Sequence, residues 1–144
     1  MKKLSLLAFA GSLFFAVSCE DDDTPNYVSP NYLTGEWNLV QEGSLTPGGL
    51  TVDYFDVAGS CDENDEIIFG EGNTFSINDS SEAGEACTAV NTSGTYTRDN
   101  RDVTLTSGTT STTVSVITLT FDTLIYSYPD SETGELVFLK YEKQ

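Results

Sequence analysis

From residue 33 onward, apolar side chains recur at every second position rather than at helical spacing. Trp37 and Leu39 flank Asn38, Phe75 and Ile77 alternate with Thr74, Ser76 and Asn78, and Val103 and Leu105 alternate with Asp102, Thr104 and Thr106. Such alternation marks strands with one face turned to a core, and the density of Thr, Val, Tyr, Phe and Ile suits pleated backbone. Turn chemistry separates the runs at Gly70-Glu71-Gly72-Asn73, at Asp99-Asn100, at Asp122 and between Asp130 and Gly134. Eight strands are predicted, at about 36–42, 65–70, 73–79, 93–98, 101–106, 112–120, 123–129 and 135–142. Short hairpins join most of them, so the chain reads as all-β: a small eight-stranded antiparallel up-and-down barrel, closed so that no edge is exposed.

Two stretches break the pattern. In Val114-Ser115-Val116-Ile117-Thr118-Leu119 the apolar face changes sides after Val116, which predicts a bulge or sharp bend. Residues 43–65 are longer than an ordinary loop and hold Val52, Tyr54 and Phe55 before an acidic stretch around Cys61. They read either as a short extra strand or as a helical turn that plugs one end of the barrel.

The N-terminus has a different pattern. Met1-Lys2-Lys3 precedes an apolar run over residues 4–17, interrupted by Ser5, Gly11 and Ser12. A charged start and a run of about 14 residues suit a signal peptide and fall short of the ~20 that a spanning helix needs. Phe15-Ala16-Val17-Ser18-Cys19 resembles a lipobox, where a bacterial lipoprotein is acylated on cysteine and cleaved just before it. That resemblance implies a signal peptide over 1–18, a lipid on Cys19 that anchors the protein to a membrane, and an acidic, proline-containing tether over 19–32. Cys19-Glu20-Asp21-Asp22-Asp23 is similar to the export signal that sends lipoproteins to the outer face of a Gram-negative outer membrane. Surface exposure there is the implied location.

Composition narrows the chemistry. With 23 acidic and 6 basic residues the net charge is -17, and removing residues 1–18 takes away two lysines and no acid. Nucleic acid is excluded as a partner, because phosphate binding needs basic patches that Arg98, Arg101, Lys140 and Lys143 cannot build. No histidine occurs in the chain, which removes the commonest general base and metal ligand. With Cys19 acylated, Cys61 and Cys87 are left as a pair, and in an exported chain such a pair reads as a disulfide. Asp62-x-Asn64-x-Glu66 mimics the start of a calcium loop, but Ile67 stands where the turn glycine is needed and Asn73 where the closing glutamate belongs. No metal, no cofactor and no catalytic residue is assigned, and the expectation is a protein that is not an enzyme.

Leu33-Thr34-Gly35-Glu36-Trp37-Asn38-Leu39 carries a Gly-x-Trp at the start of the first strand. It is followed by Cys61 in an acidic loop, a hairpin with Ile67, Phe69, Gly72 and Phe75, then Cys87, Gly94-Thr95-Tyr96 and a closing strand rich in Tyr and Lys. This order resembles the bacterial lipocalin-like lipoprotein family over essentially the whole chain from residue 33 to 144. The resemblance implies a lipocalin-like barrel whose Trp37 closes the floor beneath a basic side chain from the last strand; the family usually has Arg there, and this chain offers Lys140 or Lys143. It also implies an interior lined by Trp37, Phe69, Phe75, Tyr96, Leu105, Val116, Leu124 and Phe138, holding a small apolar or amphipathic ligand. The alternative is a surface-displayed module in which those side chains fill the barrel and the acidic faces meet another protein or a glycan.

Overall fold

The computed structural model describes residues 32–83 and 86–144. The signal segment, Cys19 and the tether up to residue 31 lie outside the described residues.

Nine strands form one antiparallel sheet: β1 (Gly35–Leu45), β2 (Val52–Asp56), β3 (Glu66–Gly70), β4 (Thr74–Ala83), β5 (Ala86–Asp99), β6 (Asp102–Ser107), β7 (Thr110–Leu119), β8 (Thr123–Pro129) and β9 (Leu136–Lys143). β1 and β3 to β9 pair in chain order, and β9 returns to pair with β1, which closes an eight-stranded barrel. Each of the eight predicted strands is present. β2 is the extra strand that the sequence left undecided, and it shares an edge of β1 with β3: Asn38 and the residues before it pair with β3, Gln41 and those after it with β2. Between β2 and β3 lies a 3-10 turn, Cys61–Asn64, capped by Ser60, whose Oγ accepts from the Asp62 N–H.

The predicted bulge is found between Val116 and Thr118, where Ile117 is the extra residue against β8. A second bulge lies between Leu39 and Gln41, leaving Val40 extra against β9. Each extra residue reverses which side chains face inward beyond it.

β4 and β5 continue as a two-stranded arm above their neighbours, pairing from Thr74 and Thr95 up to Ala83 and Ala86. β3 accompanies β4 only as far as Asn78, and β6 meets β5 only from Thr95. A bare hairpin is marginal in water, and two ties hold this one. The Cys61–Cys87 disulfide, with Cα atoms 5.4 Å apart, joins the arm to the 3-10 turn, and the Ser80 N–H donates to Asp65 Oδ1 at 2.6 Å.

The chain direction sorts the barrel into two ends. The start of β1, the β3–β4, β5–β6 and β7–β8 turns and the end of β9 gather at one end, the floor. The 3-10 turn, the arm and the β6–β7 and β8–β9 turns gather at the other. Near the floor Trp37, Ile67, Phe69, Val103, Val116, Leu119 and Leu124 are at most 2 % exposed and form a packed core. Phe69 meets Tyr96 edge-on, with centroids 5.1 Å apart. Gly94 is required by close approach, because a Cβ there would run into the Thr106 carbonyl and the Phe75 ring.

Candidate functional site

Above that packed floor the barrel is hollow. A cavity of about 460 Å³ opens at the end that carries the 3-10 turn and the arm, within the ~300–1,000 Å³ range of small-molecule sites. Its apolar wall includes Leu39, Phe75, Ile77, Leu105, Val114 and Leu139; Tyr126, Tyr128 and Tyr141 stand beside them. Leu124-Ile125-Tyr126-Ser127-Tyr128 on β8 and Leu139-Lys140-Tyr141 on β9 place these tyrosines by simple alternation. Tyr126 and Tyr141 stack at 5.5 Å between centroids with 21° between their planes, and their hydroxyls share a hydrogen bond of 3.0 Å. Burial pushes both phenols well above the ordinary tyrosine range, so they stay neutral and polar.

Three carboxylates that alternation turns inward, Glu42, Asp65 and Asp79, complete the lining, with no lysine or arginine among the lining residues. Glu42 faces inward because the Val40 bulge reverses β1; it stands opposite Leu139, while Gln41 stands opposite Lys140. Burial raises the Glu42 carboxyl, and the charges of Asp62 and Asp79 raise it further. Asp65 is raised to about 6, chiefly by burial; the Ser80 N–H opposes the shift, and Asp79 and Asp62 add to it. Tyr128 is raised by burial and then by Glu42, Asp130 and Asp79.

Of the eight residues nominated from sequence, Phe75 and Leu105 line this cavity. Trp37, Phe69, Tyr96, Val116 and Leu124 belong to the packed core beneath it, so a filled barrel describes the lower half only. Phe138 requires correction: it lies on the outer face. Leu139 and Tyr141 point inward, so Phe138 between them on the alternation points out, opposite Gly43 of β1 and Ser127 of β8. Gly43 is also opposite Tyr54 of β2, and a Cβ there would come within 2.9 Å of the Tyr54 ring. Phe138 is therefore buried, at 7 % exposure, in an outer row with these residues rather than in the barrel.

The floor answers which lysine replaces the arginine. Lys143 reaches over Trp37, with Nζ 4.8 Å from the ring centroid. Its ammonium donates to the carbonyls of Tyr32 and Thr34, at 3.2 and 2.8 Å. Lys140 instead donates to Gln41 Oε1 at 3.1 Å. Two acids around the 3-10 turn already hold backbone donors: Glu63 accepts from the Gly59 N–H at 2.7 Å, and Asp65 from the Ser80 N–H of β4. Among the described residues no group of three or more His, Cys, Asp and Glu side chains is arranged to hold a metal ion.

Two solved structures share this architecture. One is a lipocalin-like protein from Bacteroides uniformis, with 16% identity, a TM-score of 0.51, and 78% of this chain and 98% of that one covered. The other is an uncharacterized protein from Bacteroides eggerthii, with 12% identity, a TM-score of 0.51, and 78% and 99% covered. At such identity they share a fold only. No curated protein matches the sequence. The family model of the lipocalin-like domain matches residues 33–126. With the closed barrel, the Gly35-x-Trp37 floor and that match over most of its length, the chain belongs to the lipocalin-like domain family.

Proposed function

We propose that this protein is a membrane-anchored binding protein that holds a small apolar or amphipathic molecule in the open half of its barrel. The observation that carries the reading is the cavity of about 460 Å³, walled by aliphatic and tyrosine side chains above a sealed floor. Burying an apolar body there removes its surface from water at about 25 cal/mol per Å², and the phenols and carboxylates of its lining give a polar head somewhere to bind. Binding rather than catalysis is the role, in line with the absence of histidine from the sequence.

The anchor rests on sequence alone. The apolar run ending at Cys19 and the acids that follow it support a lipoprotein displayed on the outer membrane, with the barrel held off the surface by its acidic tether.

A panel of fatty acids, sterols, long-chain alcohols and amines added to the purified protein tests the binding reading. A ligand that enters a pre-formed cavity raises the melting temperature by mass action. A melting temperature indifferent to every class would oppose it.

A further inference from the structure

Glu42 on β1, Asp65 just before β3 and Asp79 on β4 come from separate elements, yet all line one cavity. Their proximity shows in the shared influence of Asp79, which raises both Glu42 and Asp65 and, together with Glu42, raises Tyr128. Like charges gathered on a partly buried wall repel one another and lose hydration. The cavity supplies no cation from its own lining. Three tyrosines flank the same wall, and the faces of such rings attract positive charge. Leu105 on β6, Val114 on β7 and Leu139 on β9 give the same cavity an apolar wall.

We propose that the ligand is a cationic amphiphile: an apolar body seated against Leu105, Val114 and Leu139, and an ammonium or amidinium head held among Glu42, Asp65, Asp79 and the tyrosines. This rests on the binding reading above and adds the sign of the ligand's charge. A carboxylate-headed lipid of the same length would meet three acids and is rejected by them.

Octylamine, octanol and octanoate share one chain and differ in head charge. Titrated calorimetrically into the purified full chain at pH 7.5 and low salt, the amine binds about tenfold or more tighter than the alcohol, and octanoate weakest. The preference shrinks in high salt. It also shrinks as pH falls through about 6, where Asp65 takes up its proton. The other groups facing this site from the elements around it are Glu42, Asp62, Glu66, Asp79, Asp130 and the phenols of Tyr126, Tyr128 and Tyr141.

Asp79→Asn, at an exposed position, and the double variant Glu42→Gln with Asp65→Asn each reduce the ratio of amine affinity to octanol affinity. Octanol binding also reports whether each variant still has its cavity. Equal binding of all three octyl compounds overturns the charge inference and leaves the binding reading standing. Binding of none overturns both.

Discussion

Lys143 Nζ sits 4.8 Å above the Trp37 ring and is tied to the Tyr32 and Thr34 carbonyls, so the last strand locks the first at the barrel floor. Trp37 is completely buried, and its Nε1 donates to the Leu33 carbonyl at 2.8 Å. Gly35, at φ +139°, is what lets the lysine stem pass, since a Cβ there would come within 2.5 Å of Lys143 Cε.

Gly35→Ala should therefore cost about 1–3 kcal/mol, from backbone strain and a displaced lysine together. Lys143→Met, which keeps the stem and deletes the ammonium, should cost about 1–2 kcal/mol through two lost charge-assisted hydrogen bonds at a partly exposed site. Urea unfolding followed by Trp37 fluorescence measures both. A Lys143→Met midpoint equal to wild type would show that the lid contributes nothing.

The disulfide bridges a separation of 26 residues. In the chain-entropy model it stabilises the fold by roughly 3.5 kcal/mol. Reduction should lower the urea midpoint accordingly, and hydrogen exchange should rise first in the arm, whose remaining tie is the Ser80 to Asp65 bond. Uniform loss of protection over the whole barrel would contradict this.

Asp65 gives stability a pH dependence. Its ordinary value is 3.8 and burial holds it at about 6 in the barrel, so the folded state keeps a proton that the unfolded state releases. Its contribution is fully present below about pH 4 and is lost as pH rises through about 6. Asp65→Asn removes the penalty while its Oδ1 still accepts from Ser80. The variant should melt higher than wild type at pH 7.5, by about 1 kcal/mol after discounting for a half-exposed group, and match it below about pH 4. A variant less stable than wild type at pH 7.5 would show that the hydrogen bond outweighs the charge.

The two halves of the barrel should respond differently to mutation. Leu124 is completely buried in the floor, so Leu124→Ala should cost about 2–5 kcal/mol. Thr112 is exposed at the cavity wall, so Thr112→Trp should change stability by less than about 1 kcal/mol while occupying the ligand's space. Thermal melts of the two variants separate packed core from cavity.

The strands were legible because period-two alternation records a buried face. The bulge at Ile117 was visible for the same reason, since apolar residues flank it on both sides of the face change. The one at Val40 was not: the extra residue falls between Leu39 and a polar run, so nothing in the sequence shows that Glu42 has turned inward. That hidden reversal concealed one of the cavity's acids. Phe138 was misplaced because β9 reads Leu136-Val137-Phe138-Leu139, apolar on both faces, with an outer row of its own to bury. The arm over 79–83 and 86–92 is mainly small and polar with almost no buried face, so periodicity had nothing to register there.

Native mass spectrometry of the protein starting at residue 20, purified from its own host beside the Thr112→Trp variant, tests ligand binding most directly. The cavity account predicts a retained small molecule on the wild type, bearing an amine or other basic nitrogen, and none on the variant. Wild-type protein that carries no adduct, and whose melting temperature no apolar or amphipathic compound raises, would contradict it.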